Sequence, residues 1–322
     1  MSDSSGWDEY WRRTREAAAH KAGGPQDEVL ARFWASFFSE VLTTATPLRL
    51  LDVACGNGAA MQHAFDASHR SNRAVSIVGI DNSHAALAEL RTRFPQACSV
   101  LADAKSIPFR DGSFDVAFSQ FGVEYAGAEG FDDAARVIAR GGTLAAVVHL
   151  RDGAIYRECA ANADAARGVL RSGIFAAATE AFRSGFTVAR GSGNRPEFEK
   201  AHARLAAAAK DVEAILRRHG STVAGGAVRR LYSDLADMYR RVTSYDPYEV
   251  ARWLDRMSLE MAAYEDRMRG MLAAALDGRG VDAVLSRLAS RGFAIRIREK
   301  LVMGAAGQEA AWAIVCDRPL GP

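Results

Sequence analysis

The sequence predicts an α/β protein: a doubly wound, mostly parallel sheet with N-terminal helices before it and a large helical insertion late in the chain. Three observations carry that prediction. Short apolar runs alternate with helical stretches through residues 47–150. One of these runs, Leu50-Leu51-Asp52-Val53, breaks into the small-residue turn Ala54-Cys55-Gly56-Asn57-Gly58 and then into helix-forming sequence from Ala59 to Phe65. From Arg151 to about Leu276 strand signals nearly vanish, and they return only near residue 292.

The elements follow in order. Trp7, Tyr10, Trp11 and Thr14 share one side of a helical stretch. A second begins at Pro25, with Val29, Leu30, Phe33, Trp34, Phe37, Phe38 and Leu42 at helical spacing. Strands are expected at Leu48–Val53, Ser76–Ile80, Ser99–Leu101, Phe114–Gln120 and Thr143–His149. Ser83 offers an N-cap for a helix over Ala85–Arg93. Phe131–Ala139 reads as a helix stopped by Arg140-Gly141-Gly142. The alternation implies right-handed crossovers.

Strand, small-residue turn and helix together make a ligand turn, because glycine tolerates positive φ and lets backbone approach a ligand closely. Ala54, Gly56, Asn57 and Gly58 are the candidate binding residues there. Asp81 ends the next strand and is placed to accept ribose hydroxyls, with Asn82 beside it. The dinucleotide fingerprint G-x-G-x-x-G fails, since Met61 stands three positions after Gly58. An NAD-dependent oxidoreductase is therefore disfavoured.

The stretch Asp52-x-Ala54-x-Gly56-x-Gly58 resembles motif I of the class I S-adenosylmethionine (SAM) methyltransferases, with Ala54 where the first glycine is commoner. Further landmarks resemble the family in the same order: Leu101-Ala102-Asp103-Ala104, Ile107 to Asp115, Ser119 to Tyr125, and Arg140-Gly141-Gly142 before the fifth strand. The resemblance implies a Rossmann-like sheet of seven strands with the last one antiparallel. It implies SAM as cofactor and S-adenosylhomocysteine as product. Asp52 would lie near the methionine end, Asp103 and Ala104 would read the adenine, and Gln120 and Phe121 would flank the cofactor. A pre-sheet segment closing over the site would put Tyr10, Trp11 or Arg12 in it.

Four regions are expected: an N-terminal helical segment over 1–46, the cofactor-binding core over 47–150, a helical cap over 151–280, and the closing helix and two strands over 281–322. By position the cap would stand above the carboxyl ends of the strands, where open α/β sheets bind ligands. Asp246-Pro247-Tyr248-Glu249 starts a helix there. Its stripe of Trp253, Met257, Met261, Tyr264, Met268 and Leu272 either packs the cap or lines an acceptor pocket, which makes Trp253 and Met257 candidate substrate contacts. A homodimer through the cap is a further arrangement the stripe would allow.

Composition narrows the classes. A net charge of +2 over 322 residues leaves no basic footprint for nucleic acid or an anionic membrane. No apolar run nears the ~18 residues needed to span a bilayer. The start, Met1 to Gly6, lacks a signal-peptide pattern, and Cys55, Cys98, Cys159 and Cys316 form no C-x-x-C pair, so a cytoplasmic protein with reduced thiols is expected. Asp132-Asp133 is the only local acidic pair near the site; it reads as a helix start, and no metal is expected.

Methyl transfer from a sulfonium needs chiefly positioning, with a general base for a hydroxyl or protonated amine acceptor. His149, at the end of the fifth strand, is the candidate base; the alternative is a histidine bonded to a neighbouring backbone or carboxylate. Glu124 and Tyr125 are candidates to orient the acceptor. The expected function is methyl transfer to oxygen or nitrogen of a small organic molecule. Modification of a peptide side chain, or a SAM-binding regulatory protein without catalysis, are the alternatives.

Overall fold

The computed structural model describes residues 7–8, 10–11, 25–43, 47–304 and 307–320. Contacts divide the chain into two compact units, Met1–Arg157 with Gly270–Pro322, and Glu158–Arg269.

The first unit holds a seven-stranded sheet: β1 (Leu48–Val53), β2 (Val75–Asp81), β3 (Cys98–Leu101), β4 (Phe114–Gln120), β5 (Ile138–His149), β6 (Ala294–Met303) and β7 (Gln308–Asp317). Their order across the sheet is β3-β2-β1-β4-β5-β7-β6. The pairs β1–β2, β1–β4, β2–β3 and β4–β5 are parallel, and β7 runs antiparallel to both neighbours. The strand order reverses between β1 and β4, which is where such sheets open a ligand crevice.

Each sheet face has its own apolar layer. On one, α1 (Pro25–Val41), α2 (Ala59–Ser71) and α3 (His84–Arg93) contribute Trp34, Phe38, Met61, Leu87 and Leu90, packed against Leu50, Phe118 and Val147 of the sheet. On the other, α4 (Gly127–Arg136) contributes Phe131, Ala134 and Ala135. A later helix, α10 (Gly278–Ser290), adds Val281, Leu285 and Leu288 over Leu51, Ile80, Leu144 and Ile314. The α1 helix thus covers a sheet face, because its aromatic stripe falls on one side every three to four residues.

Three sequence expectations need correcting. The helix after β4 ends at Arg136, and β5 has begun by Ile138, so Gly141 and Gly142 lie inside the strand. The register between β4 and β5 shifts there, and a Cβ on Gly142 would stand 2.6 Å from the Asp115 carbonyl oxygen. Close approach of two strands, and no helix stop, is what that glycine serves. Asp132 and Asp133 do not begin a helix. They lie in the second half of α4, where Asp133 holds Arg136 at 2.7 Å and Asp132 takes Arg287 and Arg291 of α10 and the residue after it. Strand β6 runs on to Met303, well past Ile297, because a mostly exposed edge strand can carry Arg298, Glu299 and Lys300.

The second unit is helical, with most of α5 (Ala154–Arg171), α6 (Ile174–Ala189), α7 (Arg195–His219), α8 (Ala227–Arg240) and most of α9 (Pro247–Ala274). Asp246 Oδ1 accepts the Tyr248 and Glu249 N–H groups at the start of α9. Its core gathers Val169, Phe182, Leu205, Val212, Leu231, Val250, Leu254 and Met261.

Candidate active site

The turn after β1 is built by backbone that few residues tolerate. Ala54, Gly56 and Gly58 have φ of +52°, +54° and +86°. A Cβ on Gly58 would meet Leu90 at 2.6 Å, and one on Gly56 would meet the Trp11 ring at 2.8 Å. The alanine that replaces the commoner glycine therefore sits in left-handed backbone at some cost in strain. The turn after β4 nests into it: a Cβ on Gly122 would stand 2.7 Å from both the Cβ and the carbonyl oxygen of Ala54. Buried Ser119 ties the two, its hydroxyl donating to the Val53 carbonyl at 2.7 Å and accepting the Val123 N–H at 3.0 Å.

Two carboxylates lie at the floor of this crevice. Asp52 is 1% exposed, and its Oδ2 meets no hydrogen-bond partner among the described residues. Burial holds its pKa well above the usual carboxylate range, the Asp81 charge adds to this, and the Met61 N–H works against it. Asp81 accepts the Gly56 N–H at Oδ2 and the Ser83 N–H at Oδ1, both at 2.8 Å. Burial still raises its pKa despite those bonds. Each oxygen keeps a lone pair for a ligand hydroxyl. Cys55 beside them is an inert thiol, pushed up by burial and by both acids.

A buried acid–imidazole pair stands at the ends of β4 and β5. Glu124 Oε1 lies 2.7 Å from His149 Nδ1 and accepts the His149 backbone N–H at 3.1 Å. Glu124 is 3% exposed and His149 7%. A proton on Nδ1 facing the carboxylate would leave the lone pair on Nε2, the arrangement a base needs. Phe121, held at φ +54°, lies with its ring centroid 4.4 Å from that of His149, and Tyr125 meets the imidazole edge-on at 6.1 Å.

Residues before the sheet reach the same place. Trp7 meets Tyr125 edge-on at 5.8 Å and stacks on Trp11 at 6.4 Å, while Tyr10 meets Trp11 at 4.9 Å. The Asp8 carboxylate accepts the Ser83 hydroxyl at 2.5 Å and the Ala85 N–H at 3.4 Å, at the start of α3. Ser83 in turn caps that helix through Ala86 N–H at 3.1 Å.

The expected residues therefore divide. Asp52, Ala54, Gly56, Asn57, Gly58 and Asp81 build the β1–β2 side, and Gln120, Phe121, Glu124, Tyr125 and His149 the β4–β5 side. The Arg93 guanidinium braces the Asn57 carbonyl at 2.8 Å, and Trp34 Nε1–H donates to Gln120 Oε1 at 2.6 Å. Asn82 is exposed. Asp103, exposed after β3, accepts the Lys105 N–H at 2.9 Å, and Ala104 is buried behind it. Tyr10 and Trp11 are at the crevice; Arg12 lies outside the described residues. Trp253 and Met257 pack on the helical unit's own core. Sequence reasoning passed over Asp8 and Ser119. The signal for Asp8 was an acid set among three aromatics on a short helical stretch, and for Ser119 a hydroxyl at the end of an apolar strand.

Among the described residues no group of three His, Cys, Asp or Glu side chains converges as a metal site, and no helix is long and apolar enough to cross a membrane. Residues 51–146 match the family described as a methyltransferase domain. A demethylmenaquinone methyltransferase of Beutenbergia cavernae is 31% identical over 115 residues, 35% of this chain and 45% of that protein. The chain thus spans less than half the length of the curated relative it matches. Solved structures are alike at lower identity. The [4+2]-cyclase SpnF is 14% identical at a TM-score of 0.40, over 94% of this chain and 86% of that one. DesVI of Streptomyces venezuelae is 22% identical at a TM-score of 0.31, over 40% and 61% of the two chains.

Proposed function

We propose, for a chain whose residues 51–146 are a class I SAM-dependent methyltransferase domain, that the protein transfers a methyl group to oxygen or nitrogen of a small organic molecule. The observation that carries the reading is a turn at the strand-order reversal that holds the buried Asp52, whose Oδ2 has no hydrogen-bond partner among the described residues, and the half-buried Asp81, with an acid–imidazole pair at the ends of β4 and β5 of the same sheet. Buried acids suit a ligand bearing an ammonium and a sulfonium, and would repel a pyrophosphate. Asp52 and the Ala54–Gly58 turn would hold the amino-acid end, Asp81 the ribose, and Asp103 with Ala104 the adenine. When bound, the cofactor supplies an electrophilic methyl group. The chain's own part is to hold the acceptor in line, keep water out with the aromatic residues, and take a proton at His149 Nε2 while Glu124 fixes the ring. The reduced thiols of a cytoplasmic protein fit the four unpaired cysteines among the described residues.

Calorimetry with SAM, S-adenosylhomocysteine and NAD tests the cofactor. Micromolar binding of the first two with NAD silent is the expected result; NAD binding without SAM would reverse it. Asp81→Ala should weaken SAM by about ten-fold or more, the loss of two hydrogen bonds to a charged acceptor. Unchanged affinity would remove Asp81 from the ribose.

A further inference from the structure

One arginine of the sheet unit commits every donor it has to the protein itself. A guanidinium carries five N–H groups in a planar fork. At Arg136, the last residue of α4, each of the five has an acceptor. Nε donates to Asp133 Oδ1 at 2.7 Å, and Nη2 donates to Asp133 Oδ2 at 3.1 Å. The other three go to the loop between β3 and β4. Nη2 reaches the Ile107 carbonyl at 2.9 Å, while Nη1 reaches the Phe109 carbonyl at 2.8 Å and Asp111 Oδ1 at 2.9 Å. The Arg136 carbonyl also accepts the Gly112 N–H, at 3.2 Å. We infer, on the SAM reading above, that Arg136 is a positioning residue that sets the purine preference of the cofactor site by holding this loop.

Residues 102–113 form neither helix nor strand, so the loop's carbonyls need partners from elsewhere. The front of the loop carries Asp103 and Ala104, and that turn is tied on both sides. Before it, the Ala102 N–H donates to the Asp81 carbonyl at 3.0 Å. After it, the Ser106 N–H closes on the Asp103 carbonyl at 2.9 Å, and Ile107 follows at once. Ile107 is buried and gripped at both ends of its backbone. Its N–H donates to Asp133 Oδ2 at 2.5 Å, and its carbonyl takes Arg136. The Asp133–Arg136 pair thus fixes where the Asp103 turn ends, as Asp81 fixes where it begins.

A carboxylate followed by a backbone N–H suits an adenine edge, which sets an amino donor beside a ring-nitrogen acceptor. Hypoxanthine reverses both groups, offering an oxygen to the carboxylate and an N–H to the N–H. Discrimination of that kind needs the reading groups held to about 0.5 Å. Lysine at 136 would keep the charge, but its compact ammonium has three donors on a flexible stem. It cannot span Asp133, Ile107, Phe109 and Asp111 together.

The test compares S-adenosylhomocysteine with S-inosylhomocysteine on the full-length protein by calorimetry, beside amide hydrogen exchange of the ligand-free protein. The parent should hold the adenosyl compound about ten-fold tighter or more, as one or two hydrogen bonds contribute. In Arg136→Lys the gap should narrow to about two-fold, with the loss falling on the adenosyl compound. Exchange over residues 103–112 should quicken by about ten-fold while β1 and β4 keep the parent's rates. A merely structural arginine would weaken both compounds alike, so an unchanged ratio overturns the proposal. Unchanged exchange in the loop overturns it too. If Arg136→Lys does not fold, Asp133→Asn, which keeps the volume and withdraws the charge that orients the guanidinium, is read in the same two ways. Should neither compound bind the parent, the SAM reading falls and takes the purine assignment with it, while the exchange arm still reads the clamp.

Discussion

Burial works against charge at Asp52. Its pKa is held up in the folded protein by desolvation and by Asp81, so the native state keeps a proton that the unfolded chain releases above about pH 4. Stability from this site is thus complete below the ordinary carboxylate value and falls as pH rises toward the raised one. Asp52→Asn, which cannot ionise, should escape that loss. Its thermal midpoint should equal the parent's near pH 4 and exceed it by a growing margin toward pH 8, followed by melts across that range. The same variant should bind SAM more weakly by about ten-fold, since a bound cation draws the proton off Asp52 and gains a carboxylate facing it, which Asn cannot supply. A variant less stable than the parent at pH 8 would show that hydrogen bonding, and not burial, governs Asp52.

At the scale of elements, the β4–β5 contact is the place where geometry is least forgiving. Gly142→Ala pushes a methyl group to 2.6 Å from the Asp115 carbonyl, backbone that cannot swing aside. The expected cost is about 1–3 kcal/mol, read as a lowered melting temperature. Ser83→Ala loses a cap on α3 and a partner for Asp8 together, and about 1 kcal/mol or more should go with it. The elements also show what the sequence could display. Strands β1, β2 and β4 were legible because buried apolar runs end in turn residues. The glycine pair at 141–142 misled because helix stop and strand bulge use the same residue for the same φ, and only the neighbouring strand decides. The Glu124–His149 bond spans 25 positions and two strand ends, so the residues could be named singly while their pairing could not. Asp8 was hidden for the same reason, its partner lying 75 positions away.

For the molecule as a whole, the two units have separate cores. The clusters that flank the sheet contain no residue from 158–269, and the helical cluster contains none from outside it. Replacing Glu158–Arg269 with a short Gly/Ser linker should therefore leave a folded sheet unit that melts cooperatively and binds SAM within a few-fold of the parent. Loss of that binding together with the sheet's cooperativity would show that the cores depend on one another.

The place of β7 has a consequence for how the chain is made. It lies between β5 and β6, with seven consecutive residues from Ala310 to Cys316 buried, yet it is the last of the strands to leave the ribosome. Until it emerges, β5 and β6 have nothing between them, and β6 has no neighbour at all. Synthesis at about 5–20 residues per second gives the first five strands time to pair while the helical unit is still being translated. The nascent protein would then wait as a five-stranded platform with an open apolar flank along β5. During that interval the apolar flank along β5 stays uncovered, and it closes only when β7 pairs there.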